Sequence, residues 1–333
     1  MKAKRIPKIL LFLLVAVSFV GITYNIVLHI GGDGEPGEEV EIIIPEGASA
    51  RSIAQMLEQK EVIPSARRFL VYAKLTGREK KIKAGRYLFP RRMGNRAVLG
   101  ALVKGETKPL RVTIPEGLTI EETAVILEQG LGIDGRLFLE LARDRKFARR
   151  LGIERNDFEG FLFPNTYDFN HGTSEKEIIE KLVEEFWKVF DDSLKRRAQE
   201  IGFSVYDAVI LASLVEEEAM LESEHAIISQ VYHKRLKLGR ALECDATIQY
   251  AIPEHKERLL YSDLKIDSPY NTYTHKGLPP GPIASAGRSA LVAALYPAKS
   301  DYLYYVARGD GSHIFSKTAE EHYRAIANLK KKK

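Results

Sequence analysis

One stretch of this chain occurs twice, and that duplication limits the possible folds more than any other feature. The run Ile44-Pro-Glu-Gly-Ala-Ser, continuing to Ile63, returns seventy residues later from Ile114 to Ile133 with nine of twenty positions identical. Unrelated segments of that length would share about one position, so the repeat is an internal duplication. Each copy has the same physical grammar. A short apolar strand, Val40 to Ile44 or Leu110 to Ile114, runs into a Pro-Glu-Gly turn. Ser49 or Thr119 then stands at a helix N-cap. An amphipathic helix follows, with Ile53, Met56 and Leu57 in one copy and Ile120, Ala124 and Leu127 in the other. The pattern predicts a small β–α module, closed in the first copy by Val62-Ile63. Between the copies, Lys83 to Pro90 reads as a strand closed by proline, and Ala97 to Lys104 as a short helix stopped by Gly105.

Length and composition favour two or three domains. The chain has 333 residues, 45% of them hydrophobic and 29% charged, which excludes a wholly disordered protein. Its single cysteine, Cys244, excludes an internal disulfide and a multi-cysteine metal site. The net charge of +5 sits at the ends: Lys2, Lys4, Arg5 and Lys8 at one, Lys330 to Lys333 at the other. The body between them is slightly acidic, a poor surface for nucleic acid. Ile9 to Ile30 is apolar and follows four cations, which predicts a single transmembrane anchor with the amino terminus in the cytoplasm. A cleaved signal peptide is the rival reading, set back by the poor cleavage site Thr23-Tyr24-Asn25. The expected organisation is a basic tail over 1–8, an anchor over 9–30 and a mobile Gly/Glu linker over 31–39. A small module follows over 40–108, then a mixed α+β domain over 109–333 that opens with the second repeat, 110–133.

The back half carries the chemistry. Ser174 to Phe190 is an amphipathic helix with Ile178, Ile179, Leu182, Phe186 and Val189 on one side, and its Trp187 reads as packing. A helix from about Val205 to Glu222 is apolar over most of its circumference and so predicted to be buried, yet it holds Glu216, Glu217 and Glu218 in a row. On the helical wheel Glu218 falls in the stripe of Leu211, Leu214, Val215 and Leu221. A carboxyl there is desolvated, its pKa rises, and it suits a general acid. The alternative is a charged helix end paired with Arg235 or Lys237. Tyr270-Asn-Thr-Tyr-Thr-His-Lys-Gly-Leu-Pro-Pro-Gly-Pro-Ile forms a stiff loop whose Tyr270, Asn271 and Tyr273 suit a sugar face and its hydroxyls, or a structural crossover. Glu159 lies in an aromatic turn ending at Tyr167. Asp245 reads as a helix N-cap. His313 opens the returning strand of a hairpin that begins at Tyr302, where it lines a site or serves the turn. No nucleotide or metal signature appears, and the pair His225 and His233 lacks a third ligand with motif spacing, so no cofactor or metal is expected.

The strand–turn–capped-helix grammar resembles the LysM module, a glycan-chain binder of cell walls, most closely in the first copy. Further strings resemble the YceG-like endolytic murein transglycosylases: Leu211-Ala-Ser-Leu-Val-Glu-Glu-Glu, Tyr270-Asn-Thr-Tyr, Gly277-Leu-Pro-Pro-Gly-Pro-Ile and Glu159-Gly-Phe-Leu-Phe-Pro-Asn-Thr-Tyr. The resemblance implies an α+β fold with a transmembrane helix, a LysM-like module and a catalytic domain built on a buried helix. It implies a lyase that cuts the β-1,4 bond between N-acetylmuramic acid and N-acetylglucosamine in nascent peptidoglycan. The products would be 1,6-anhydro-muramyl ends, made at the cytoplasmic membrane beside peptidoglycan synthases such as penicillin-binding proteins. The catalytic glutamate it implies is Glu218, with Tyr270, Asn271, Tyr273, Glu159, Asp245 and His313 as candidate substrate contacts. Ala219 and Glu217 depart from the family pattern, which has a frequent Thr at the former and a non-acidic residue at the latter. A muramidase would need a second carboxylate, Glu159 or Asp245, and a non-catalytic glycan-binding scaffold would need none.

Overall fold

In the computed structural model, residues 17–18, 37–254 and 256–332 are described. The chain divides into two units: one runs to Leu110 and also takes Asp168–Thr173, and the other holds Arg111–Tyr167 and the chain from Ser174 onward. The first unit comprises β1 (Glu39–Ile44), α1 (Ala50–Gln59), α2 (Ala66–Leu75), β2 (Gly85–Pro90) and α3 (Asn95–Lys104). β1 and β2 pair antiparallel with Val40 opposite Phe89 and Ile42 opposite Tyr87. The two-residue period of a strand therefore sends Ile42, Ile44, Tyr87 and Phe89 to one buried face. Ser49 and Ser65 cap α1 and α2 by accepting backbone N–H bonds. Ile53, Leu57, Phe69, Val98 and Leu102 complete the core. Val62 and Ile63 are buried but lie in the turn after α1. The strand that closes this unit is β2.

The chain continues with β3 (Leu110–Ile114), α4 (Ile120–Leu131), α5 (Gly135–Ala142), α6 (Arg145–Arg150), β4 (Asn165–Phe169), α7 (Glu175–Val189) and α8 (Asp192–Glu200). Then come α9 (Val205–Glu218), α10 (Glu222–Lys237), α11 (Asp245–Ala251), α12 (Arg288–Leu295), β5 (Tyr304–Ala307), β6 (His313–Ser316) and α13 (Ala319–Lys332). β3 pairs with β4, and β5 pairs antiparallel with β6. The second unit is built around α9, whose residues Ala208 to Val215 are all buried and which packs against α12 and α10. Two histidines from α10 tie it to α12: the His225 ring is 3.0 Å from Ser289 Oγ, and His233 donates to the Ala294 carbonyl at 2.8 Å.

Helix α9 stops four residues short of the expected end. Ala219 is extended (φ −112°, ψ 111°), and Leu221, 42% exposed, becomes the N-cap of α10. Leu221 therefore does not share a stripe with Glu218.

The expected spanning helix, 9–30, lies outside the described residues apart from Val17 and Ser18, as do the tail 1–8 and the linker as far as residue 36. Among the described residues no single helix is long and apolar enough to cross a membrane. This corrects the expectations of a single-pass anchor, of the membrane as a partner through that helix, and of an inner-membrane location with a cytoplasmic amino terminus. Among the described residues only α8 and α9 taken together have the length and composition, and they are bent by 93° at their break. The apolar side chains of α9 are enclosed by protein, so its hydropathy serves the core.

Candidate active site

The last turn of α9 delivers Glu218 to a cleft of about 880 Å³ within the second unit. Glu217, Asp245, Tyr250 and His313 line the same cleft. The opposite wall comes from the second repeat, through Gly117, Thr119 and Glu122. Gly117 has φ +79°, and a Cβ there would sit 2.7 Å from Glu217 Oε1, so glycine is required both by the backbone and by the closeness of the wall. Thr119 and Glu122 form a reciprocal capping box at the start of α4, which fixes this edge.

Glu218 is half-buried, and the direction of its pKa shift is upward. Desolvation is the main cause, and the like charge of Asp245 adds to it. Hydrogen bonds from the Cys244 thiol and the Tyr305 hydroxyl act the other way, as does His313. Tyr305 donates to Glu218 Oε2 at 3.0 Å, and its own oxygen lies 2.9 Å from the Tyr232 hydroxyl. The neighbouring Glu216 accepts the Gly287 N–H at 2.9 Å and is pushed up to about 7, chiefly by desolvation. Glu217, beside the Gly117 turn, is also raised, by desolvation and by the charges of Glu122, Glu216 and Glu218. Arg235 is engaged elsewhere, with Glu243 at 3.1 Å and the Leu303 carbonyl at 3.0 Å, so it does not neutralise this cluster.

The other residues singled out from sequence occupy different positions. Asp245 is the first residue of α11 and Cys244 is its N-cap. The Asp245 carboxylate is therefore free of capping duty. It lines the cleft and accepts the Tyr273 hydroxyl. His313 also lines the cleft. Its Nδ1 is 2.6 Å from Glu224 Oε2, and its backbone N–H donates to the other oxygen of that carboxylate at 3.1 Å. Asn271 is fully buried. Its amide nitrogen donates to the Leu264 and Ile266 carbonyls at 3.1 and 2.9 Å, and its oxygen accepts the Tyr273 N–H at 2.9 Å. That set uses up its donors, so Asn271 shapes the loop from within and has none left for a sugar.

Tyr270 is half-buried and packs its ring 4.9 Å from that of Tyr250, behind the cleft wall. Glu159 lies deeper. It is 5% exposed, accepts the Ile120 N–H at 3.4 Å and the Tyr250 hydroxyl at 3.5 Å, and is pushed up to about 8 by desolvation. Its Oε1 has no hydrogen-bond partner. An uncharged carboxyl tolerates that position far better than a charged one.

Sequence reasoning missed Tyr305, Tyr232 and Cys244. The hairpin carrying Tyr305 was legible, but its docking against Glu218 on α9 and Tyr232 on α10 is a tertiary fact. Cys244, fully buried against Glu218 and Tyr232, carried no signal beyond being alone. The place of the second Pro-Glu-Gly turn in the cleft was hidden for the same reason. Only its divergence from the first copy at Glu121 and Glu122 hinted at a different task.

Residues 42–328 match the model of the YceG-like family. The chain is 35% identical over 302 residues to the endolytic murein transglycosylase of Bacillus subtilis, covering 86% of this chain and 83% of that protein. It is 28% identical over 354 residues to the endolytic murein transglycosylase of Streptococcus pneumoniae, covering 96% of this chain and 63% of that protein. A crystal structure of a putative yceG-like protein from Listeria monocytogenes is similar, with a TM-score of 0.62 and 33% identity, covering 86% of this chain and 98% of that one.

Proposed function

The chain belongs to the YceG-like family, and from that premise we propose that it is a lytic transglycosylase that cuts peptidoglycan strands internally. Its bond is the β-1,4 link from N-acetylmuramic acid to N-acetylglucosamine, and its product is a 1,6-anhydro-muramyl end. The observation that carries this reading is the carboxyl of Glu218, brought by the end of a buried helix to the lining of an 880 Å³ cleft and bonded there by Tyr305, with desolvation shifting it towards its neutral form. Glu218 protonates the glycosidic oxygen as an oxocarbenium-like centre develops at C1 of the muramyl sugar. The carboxylate so formed takes the proton of that sugar's C6 hydroxyl, and the C6 oxygen closes on C1. Proton and bond counts balance without water, so no second carboxylate is needed. Tyr250, Asp245 and Tyr273 flank the path of the strand. The first unit, with its own core and its LysM-like grammar, holds the glycan.

Glu218→Gln keeps the shape of the side chain and removes the proton. The expected result is at least a thousandfold loss of anhydro-muropeptide release from purified peptidoglycan, with the fold retained. Release at a near-parental rate would refute the assignment. Asp245 in the same cleft favours one rival, a hydrolase with a water-activating carboxylate. Mass spectrometry separates the two, because a reducing end is one water heavier than an anhydro end.

A further inference from the structure

The reading of Glu218 as the acid leaves open which of its two oxygens carries the proton. Tyr305 Oη donates to Oε2 at 3.0 Å. A phenol has one proton, so Tyr305 cannot also donate to Tyr232, whose oxygen is 2.9 Å away. The direction of the chain is then fixed: Tyr232 donates to Tyr305, and Tyr305 donates to Glu218. Both phenols are anchored. Tyr232 is fully buried in α10, and the Tyr305 ring meets His313 edge-on at 5.4 Å while that histidine is held by Glu224.

We propose that Tyr305, oriented by Tyr232, is a positioning residue for the transglycosylase reaction, engaging Glu218 Oε2 so that Oε1 carries the transferable proton. The inference rests on Glu218 being the acid. The charged and titratable groups around that carboxyl are Glu217 on its own helix, Cys244 and Asp245 at the start of α11, Tyr232 on α10, Tyr273 on the loop bonded to Asp245, and Tyr305 and His313 on the hairpin. Of these, the Tyr305 hydroxyl and the Cys244 thiol bond the carboxyl itself and favour its charged form. That stabilisation matters in the second half of the reaction, when the carboxylate must persist long enough to take the C6 proton.

The test is the pH profile of anhydro-product release by Tyr305→Phe. The acid must be protonated to react, so activity is lost as pH rises through its pKa. Removing a donor to the carboxylate raises that pKa. The alkaline limb should therefore move up by about one pH unit. kcat at the optimum should fall roughly tenfold with KM within twofold. Tyr232→Phe, which frees Tyr305 to turn away, should move the limb in the same direction by less. If Tyr305→Phe alone does not fold, the double variant Tyr232→Phe/Tyr305→Phe, which leaves no phenol unpaired, is expected to show the same upward limb. A limb superimposed on the parental one, in either variant, overturns the proposal even if kcat falls. Activity retained in Glu218→Gln would instead overturn the assignment beneath it, and the two failures are thereby distinct.

Discussion

Glu159 is a carboxyl held in an environment far from what its chemistry prefers. Its carboxyl is buried, one oxygen has no partner, and its pKa is about 8 against an ordinary 4.5. Between those two values the folded chain keeps a proton that the unfolded chain has released. The stabilisation tied to that proton is complete below about pH 4.5 and disappears as pH rises through about 8. The slope from this one group approaches about 1.4 kcal/mol per pH unit in the middle of the window. Glu159→Gln replaces the neutral acid with an uncharged amide of the same shape and so removes the slope. Denaturant unfolding at pH 5 and pH 8 should show the variant gaining stability relative to the parent as pH rises. An unchanged difference between the two pH values would mean that Glu159 is ionised in the folded protein. The neighbouring Gly160 is constrained by space: a Cβ there would lie 2.6 Å from Pro282 and 2.8 Å from Val209, at φ +79°. Gly160→Ala is expected to cost about 2 kcal/mol or more in thermal or denaturant unfolding, by backbone strain and overpacking together.

At the scale of elements, α9 links a stable start to a reactive end. Ser204 and Asp207 form a capping box, with Ser204 Oγ accepting the Asp207 N–H at 3.0 Å and Asp207 Oδ2 accepting the Ser204 N–H at 3.0 Å. Ser204→Ala should lower stability by about 1 kcal/mol. Because the cap lies at the end of the helix remote from Glu218, kcat should stay within a factor of two, and a large fall in kcat at full occupancy of the fold would contradict this separation. The start of α9 at Val205 was legible in the sequence from its apolar pattern, and the cap at Ser204 fits it as local chemistry. Its end was not. The apolar periodicity runs on through Leu221, while the break at Ala219 depends on where the three carboxylates must point. The same distinction holds elsewhere. Ser49, Thr119 and the hairpin beginning near Tyr302 were readable from short-range pattern. Asn271 was not readable as a buried loop brace, since an amide in an aromatic loop looks the same whether it faces a sugar or two backbone carbonyls. Asp245 was placed one position early, and that single step moves it from a cap into the cleft.

Taken over the whole molecule, the cleft and its support bring together four carboxyl groups whose shifts share one direction. Glu159 stands at about 8 and Glu216 at about 7, and Glu217 and Glu218 are raised as well, each chiefly by desolvation. All of them favour the folded state when protonated, and their contribution fades as pH climbs from about 4.5 towards 8. The carboxylates shifted the other way are peripheral. Glu177, Asp191 and Asp310 are lowered by local hydrogen bonds at caps and turns, and Asp263 by its ion pair with Lys256, and their stabilisation is lost only as pH falls through their depressed values. Being exposed to solvent, the bonds of Glu177, Asp191 and Asp310 are weak in effect. Between pH 5 and 8 the rings of His233 and His322 work against these carboxyls, because burial lowers both rings and the stability tied to them rises with pH. The four raised carboxyls outnumber them, and the melting temperature of the protein is expected to fall across that range by several degrees. Glu159→Gln should remove a large part of the fall and Glu177→Gln almost none. Calorimetry at matched ionic strength measures both. A melting temperature that instead rises from pH 5 to 8 would mean that the cleft carboxyls are charged in the folded state, and with that the neutral acid required at Glu218 would lose its physical basis.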